Sequence, residues 1–468
     1  RISALKRMMG SMEGAEYSRG GLRANVKNGA CLPIGRTFSG ALVPIRPMKL
    51  WLPPGRVRVP MIKLITAEQL KLGMYLHDLN CDWMSHPFMR SKFLLSDALD
   101  LSKIRTAGIK EIYIDTSKGF DVADAPTAEE VQKKIDADML RVAASKPEAP
   151  PRRSVAEELA QARKIHEQTG RVVRGVMQDV RLGRAIQIAD VESVVEDITE
   201  SVARSSGALI SLLRLKDADN YTFLHCVAVG TMMVTFGRAL GMDPELVREA
   251  GVGGLLHDVG KMKVPDSVLN KPGRLSDDEF EIIRRHPSDG HAALIANGGI
   301  GDIPLDVTLH HHERMDGTGY PDKLPGAEIT QLSRMAAIVD VYDAITSDRC
   351  YHKGMAPTDA LRKMFEWSKF HFDEPLVHHF MRIIGIYPVG TLVRLESGRL
   401  GVVIDQTEGN LLAPKVRVFF SAKQNGYLKP EIVDLSRSMG HGGADRIASH
   451  ELPEKWGVDP MRFLDVPA

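Results

Sequence analysis

The sequence predicts a mainly α protein: a helical bundle, preceded by a small α/β module and followed by a small β-rich C-terminal region. Three observations predict it. Across residues 154–384 apolar side chains recur at helical spacing, as in VESVVEDITESVARSSGALISLL, with repeated helix-start signals. Before that stretch short extended runs alternate with turn residues, and after it strand-like alternation takes over. At 468 residues, 43% apolar and 26% charged, the chain is long enough for about two to four ordinary cores, so three folded regions fit.

Residues 1–60 are basic and rich in glycine and proline. They lack an apolar stretch between a charged start and a small-residue cleavage site, so a signal peptide is not expected. A disordered extension, or translated sequence upstream of a start near Met61, is expected instead. Residues 61–122 read as a small α/β regulatory module: a strand in MIKLI, a helix with a glycine turn in TAEQLKLGM, and a strand in EIYID. Residues 123–153 hold a helix opened by Thr127, with Glu130 three positions on in a capping-box pattern, and then the linker SKPEAPPRRS. A second capping box, Ser154 with Glu157, opens the bundle, and Asp243-Pro244 and Ser276 with Glu279 mark further starts. About seven or eight helices are expected up to residue 384. Residues 385–468 contain GTLVRLESGRLGVVIDQTEGNLLAPKVRVFF, where the Ser397-Gly398 and Glu408-Gly409 turns separate runs of a small β-barrel or meander with an irregular tail.

Composition excludes several classes of function. Lysine plus arginine (61) nearly balance aspartate plus glutamate (60), which advertises neither a nucleic-acid polymer nor a membrane surface. The four cysteines, Cys31, Cys81, Cys226 and Cys350, form no C-x-x-C pair, which argues against a zinc ribbon, a redox motif or a disulfide framework. A reducing, cytoplasmic setting is expected. No run approaches the roughly 20 apolar residues of a membrane-spanning helix.

Chemistry concentrates in two stretches. VTLHHHERMDGTGYPDKL, residues 307–324, carries three adjacent histidines, whose side chains on a helix point about 100° apart. At most two of them serve one site, and the third faces core or solvent. In GGLLHDVGKMKVPDSVL, His257 and Asp258 adjoin where the helix begun by Pro244 should end, with Gly260 expected to supply the turn. Lys261 then stands beside the site as a compact cation able to offset phosphate charge. An HD dipeptide alone is common, and a lone histidine in an apolar helix such as His225 in YTFLHCVAVG is usually a core residue. Taken together, His225, His257, His286, His311, His312, Asp258 and Asp340 form a nitrogen-and-oxygen ligand set suited to iron or manganese in a paired site. Paired metals about 3.5–4 Å apart can share a hydroxide and aim it at phosphorus, so phosphodiester hydrolysis is the natural chemistry.

HDVGK, then HHERMDGTGYP, then DVYDAITSDR, in that order across residues 219–353, resemble the HD-GYP branch of the HD phosphohydrolase superfamily. Residues 61–122 more weakly resemble the small uncharacterised domain that often precedes HD-GYP domains. The resemblance implies an HD-type helical bundle and a bacterial signalling hydrolase, a metal-dependent cyclic di-GMP phosphodiesterase yielding linear pGpG and, in some members, GMP. It places His225, His257, Asp258, His286, His311, His312 and Asp340 at the metal positions of a binuclear centre holding two divalent ions, Fe or Mn, with Asp258 bridging. His310 is the leftover of the triplet, a helix-surface residue. Asp343 is expected beside the ligands rather than among them. Glu313 to Pro321 build the substrate-side loop, of which Gly319, Tyr320 and Pro321 lie by the substrate and are also implied as a contact for GGDEF-domain proteins; a homodimer is a further implied partner. Arg349 and Lys353 would meet the phosphates, although Cys350 replaces the proline of the family's usual Arg-Pro-Tyr pattern, which removes its stiffness. Three-metal members place a glutamate four residues before the first ligand histidine. Here that residue is Tyr221, whose hydroxyl titrates near pH 10 and is a poor ligand, so two metals are expected. The competing readings are a weakly active or inactive signalling adaptor and an HD hydrolase for another nucleotide.

Overall fold

The computed structural model describes residues 61–464 except 82–87, 89, 91, 144–152, 154, 214–220, 272, 274, 348–353, 408–409 and 438–444. The segment before Met61, the linker, the Ser154 cap, the Glu408-Gly409 turn, and Arg349, Cys350 and Lys353 therefore lie outside the described residues.

The N-terminal module is a four-stranded antiparallel sheet in the order β1-β4-β2-β3, built from β1 (Ile62–Thr66), β2 (Tyr75–Asp78), β3 (Phe93–Leu94) and β4 (Glu111–Asp115). Helix α1 (Ala98–Thr106) starts at Asp97, whose carboxylate accepts from the Leu99 N–H, and buries Ile104 with Leu76, Leu95, Ile112 and Ile114. The helix expected in TAEQLKLGM is instead a pair of turns. Its backbone has better partners than its own carbonyls. Ala67 N–H donates to Lys110 O, the Thr66 N–H donates to the Gln69 side chain, and Gly73, at φ +89°, donates to Leu95 O. Glycine alone adopts that φ without strain.

Helix α2 (Ala128–Ala143) carries the expected capping box: Thr127 N–H donates to Glu130, and Glu130 N–H donates to the Thr127 hydroxyl. The bundle follows as α3 (Val155–Leu182), α4 (Ile188–Arg204), α5 (Ser206–Leu212), α6 (Tyr221–Ala239), α7 (Pro244–Leu256), a 3-10 turn (Val259–Lys263), α8 (Asp266–Leu269), α9 (Asp277–Arg284), α10 (His286–Asn297), α11 (Asp302–His310), α12 (Gln331–Thr346), α13 (Pro357–Trp367) and α14 (Glu374–Ile384). Asp243 caps α7 with proline next, and Ser276 with Glu279 forms a complete capping box on α9. Among the described residues twelve α-helices, α3 to α14, rather than seven or eight, arise because proline and glycine cut the pattern into short pieces. Pro265 precedes α8, Pro287 lies in the first turn of α10, and Gly298 and Gly299, both at positive φ, stop α10 before α11.

Helix α6 is the bundle's axis. It packs against α3, α4, α7, α12 and α14, and its residues from His225 to Phe236 are all buried. The contact with α7 is close because two glycines face each other: a Cβ on Gly254 would lie 2.8 Å from Gly230 Cα.

The C-terminal region is an antiparallel sheet in the order β8-β7-β6-β5-β9, from β5 (Leu392–Leu395), β6 (Arg399–Asp405), β7 (Lys415–Ser421), β8 (Gly426–Asp434) and β9 (Ile447–His450). Of the barrel or meander expected, this is the meander, with β9 added on the far side of β5. Helix α15 (Pro453–Trp456) and a 3-10 turn (Pro460–Phe463) cover one face, where Phe463 stacks on Phe419 at 3.9 Å. No helix among the described residues is long and apolar enough to cross a membrane.

Candidate metal centre

Five elements bring the expected ligands together. His225 projects from α6, His257 is the C-cap of α7 with Asp258 next, His286 opens α10, His311 caps the end of α11 with His312 beyond it, and Asp340 lies on α12. Because α11 ends at His310, His311 and His312 escape helical spacing and both turn inward. At the other corner Gly260 lies in the 3-10 turn without a positive φ, so it does not serve as the left-handed turn residue expected of it. It is required for proximity: a Cβ there would meet His286 O at 1.9 Å and Gly290 N at 2.5 Å, so any side chain would push α10 and its histidine away.

The ring orientations are fixed from behind. His225 Nδ1 donates to Asp343 (2.7 Å), His257 Nδ1 to Gly254 O (2.8 Å), His286 Nδ1 to Ile283 O (2.7 Å) and His311 Nδ1 to Thr308 O (2.9 Å). With Nδ1 donating to these partners, each Nε2 faces the centre, and in the neutral form it presents the lone pair that a metal-binding histidine needs. Asp343 thus stands behind His225 rather than in the cluster.

The donor atoms sort into two triads, His225 with His257 and Asp340, and His286 with His311 and His312. Asp258 lies between them. Its Oδ2 is 3.5 Å from His225 Nε2 and 3.3 Å from His257 Nε2, and its Oδ1 is 3.2 Å from His286 Nε2 and 3.9 Å from His311 Nε2. A buried polar atom without a hydrogen-bond partner is costly, and native proteins rarely leave one. Yet His257 Nε2, His312 Nε2 and Asp258 Oδ1 are all buried without one. Their convergence, with imidazoles and carboxylates as the donor set, fits divalent metal cations.

Electrostatics agree for three of the histidines and for both carboxylates. Burial disfavours the charged form of His286, His311 and His312 and holds their pKa values below the usual histidine range, so they offer lone pairs at neutral pH. Burial also opposes charge on Asp258 and Asp340, but the neighbouring histidines, and for Asp258 also Lys261, outweigh it and hold both carboxyls well below the usual carboxylate range. Burial opposes charge on His257 too, yet Asp258 leads a set of neighbours that raises its pKa well above the ordinary value. The carboxylates of this centre attract positive charge.

Lys261 extends to Asp258 Oδ2 at 2.5 Å, so the cation expected to face phosphate here neutralises the central carboxylate. His310 is no simple surface residue: it bonds Asp306 (2.7 Å) on its own helix and Asp322 (3.1 Å) beyond the GYP loop. The loop itself is organised by Glu313, whose buried carboxylate accepts from the N–H groups of Asp322, Lys323 and Leu324. Tyr320, followed by a cis bond to Pro321, stacks on His312 at 4.7 Å, and the Arg284 guanidinium lies over the same ring at 4.6 Å. Gly319 packs where a Cβ would come within 2.5 Å of Glu313 Cα.

Arg284 and the thiol of Cys226, which lies near His257 and Asp258, went unassigned in the sequence, and Glu313 was expected to begin the loop but not to organise it. Cys226 carried a signal, since it follows His225 directly. Burial pushes its pKa up and keeps it a thiol. Tyr221 opens α6, but its side chain lies outside the described residues.

A profile described as "HD domain" matches residues 198–376, and one described as "Domain of unknown function (DUF3391)" matches residues 62–191. The chain is 45% identical over 406 residues to the cyclic di-GMP phosphodiesterase PA4108 of Pseudomonas aeruginosa, covering 86% of this chain and 95% of that protein. It is 33% identical over 196 residues to the cyclic di-GMP phosphodiesterase response regulator RpfG of Xanthomonas campestris pv. campestris, covering 42% of this chain and 50% of that one. To the 3'3'-cGAMP-specific phosphodiesterase 1 of Vibrio cholerae it is 35% identical over 144 residues, 31% of this chain and 33% of that one.

Proposed function

The chain belongs to the HD-GYP family of HD-domain cyclic di-GMP phosphodiesterases, and from that premise we propose that it hydrolyses cyclic di-GMP to linear pGpG, and onward to GMP, at the α6–α12 centre. The observation that carries this reading is Asp258, set between two histidine-rich triads with a buried, unpartnered oxygen.

In this reading His225, His257 and Asp340 would hold one divalent ion, and His286, His311 and His312 would hold a second. Asp258, which lies between the two groups, would serve both. When bound, such ions supply Lewis acidity toward phosphate oxygens and lower the pKa of water. The protein's own contribution is orientation and charge. Backbone carbonyls and Asp343 fix the histidine tautomers, and Lys261, freed from Asp258, offsets the charge of the phosphodiester. Gly319, Tyr320 and Pro321 border the substrate, with Tyr320 fixed between His312 and Arg284, and Arg349 and Lys353 meet the phosphates. Water adds across a P–O bond, the phosphate keeps the new oxygen, and the sugar hydroxyl leaves with a proton. Contact of GGDEF-domain proteins with the GYP loop and a homodimer belong to the same reading, as does iron or manganese as the metal.

Metal analysis of protein purified without chelator should give two ions per chain of iron or manganese. Chromatography of reactions with cyclic di-GMP and, in parallel, 3'3'-cGAMP should show pGpG forming faster from the first. Turnover of 3'3'-cGAMP alone, or binding without turnover, overturns the assignment.

A further inference from the structure

The N-terminal module touches the GYP loop. Gly108, in the turn between α1 and β4, lies against Thr318: a Cβ on Gly108 would come within 2.5 Å of Thr318 Cγ2. Thr318 is two residues before Tyr320, and its hydroxyl and N–H both bond Asp316, so the methyl faces the module while the polar atoms shape the loop.

A second connection runs through α13. Asn80 Nδ2 donates to Glu366 Oε1 (2.9 Å), and Tyr113 OH donates to the same oxygen (2.7 Å). Lys363 Nζ donates to Asp78 and Asn80, and Trp367 Nε1 donates to Asn80 Oδ1 (3.2 Å). From Trp367 the chain turns at once to His371, whose carbonyl accepts from Met315 N–H at the start of the loop (3.1 Å). Direct contact and helix thus lead from the module to both ends of the segment Met315–Thr318.

We propose that the N-terminal module is a built-in buttress of the substrate-side loop: Gly108 is a positioning residue that sets Thr318, and through it Tyr320, while the Asn80–Glu366 network holds the module in place. The inference deepens the proposed function, since it takes the GYP loop as the border of the substrate. It gives the module a role in the reaction: any ligand or partner that shifts the sheet on α13 acts on substrate binding. Coupling by direct packing of this kind is short-ranged and depends on fit, because packed contacts do not deform freely.

The test is a double-mutant cycle in the full-length, metal-loaded protein. Gly108→Ala drives a methyl into Thr318 Cγ2, and Thr318→Ser removes that methyl while keeping the hydroxyl that bonds Asp316. Gly108 has φ +70°, so alanine strains the turn equally in both backgrounds, and the cycle cancels that strain. We expect Gly108→Ala to lower kcat/KM for cyclic di-GMP about tenfold, through KM with metal content unchanged, and the loss to shrink to about threefold or less in the T318S background, as for directly contacting residues. Amide hydrogen exchange across residues 313–324 should rise with Gly108→Ala and return toward wild type in the double variant. Equal losses in the two backgrounds, or unchanged exchange, overturn the buttress. If the wild type hydrolyses no cyclic di-GMP, the functional reading fails, and the exchange cycle still decides the contact. Should Gly108→Ala not fold, Asn80→Gly, which suits the φ of +51° and deletes only the side chain, must raise exchange across residues 313–324. No rise refutes the proposal.

Discussion

Two polar clusters, one at the interface of the N-terminal module with α13 and one at the α6–α12 centre, each hold carboxylates and a lysine and differ in how they close. At the interface Asn80 uses its amide in both directions, Glu366 accepts from Asn80 and Tyr113, and Lys363 faces Asp78. Burial, then the Glu366 carboxylate, pushes the Tyr113 phenol far up and keeps it a donor. Every group has its complement within the chain, which is how buried polar networks specify one packing. At the centre, His257 Nε2, His312 Nε2 and Asp258 Oδ1 have none. Completeness marks structure, and convergent incompleteness marks a place for something the chain does not supply.

The widest break between the two clusters is expected at Asp258. Asp258→Ala should abolish measurable hydrolysis and most bound metal while far-ultraviolet circular dichroism stays that of wild type. Turnover near the normal rate would remove Asp258 from the centre. Lys261→Ala comes next. An ammonium has donors only, so it cannot ligate a cation, and the variant should keep its metals while losing about 10²–10³ in kcat, the range for deleting one preorganised charge. Since Lys261 neutralises Asp258, the variant stripped of metal should also melt lower than wild type treated in the same way. Loss of metal from Lys261→Ala would make the lysine structural.

The closed cluster should respond in the opposite sense. Glu366→Ala strands the Asn80 amide and the Tyr113 hydroxyl, a cost of about 1–3 kcal/mol in unfolding free energy by urea titration, with metal content unchanged. A metal loss as large as that of Asp258→Ala would erase the distinction between the clusters.

What the sequence disclosed follows the same division. Ligand types and their order along the chain are local properties, so the histidines and carboxylates of the centre could be read from short motifs, as could the caps at Thr127, Asp243 and Ser276. The turns at residues 67–73 could not, because Lys110 and Leu95, distant in sequence, decide where their N–H groups go. Gly260 was legible as special but not why: its reason is the backbone of α10. Asn80 and Glu366 lie 286 positions apart, and neither stands in a motif, so nothing local announces that they meet. His310 looked like a leftover because its two partners, Asp306 and Asp322, matter only once the loop has folded back on α11.

The smallest effect is expected at that histidine, which adjoins the ligands without joining them. The Asp306 carboxylate, foremost among its neighbours, raises the pKa of His310 above the usual value, against the cost of burial. A raised folded pKa means that folding binds a proton, so the stabilisation is complete below about pH 6.5 and is lost as pH rises through the folded value. Asp306 runs the other way. Burial opposes its charge, but His310, Thr330 and Ser333 outweigh it and lower its pKa, so its contribution is present above the usual carboxylate pKa of about 4 and fails only in stronger acid. Between those limits both charges stand. His310→Ala should therefore destabilise by about 1 kcal/mol or less, as partly exposed ion pairs do, with a larger melting difference from wild type at pH 6 than at pH 8 and the same metal content at both. A difference that does not vary with pH would mean that the contacts to Asp306 and Asp322 act without charge. Loss of metal would place His310 among the ligands, and the two histidines that follow it would no longer suffice for their triad.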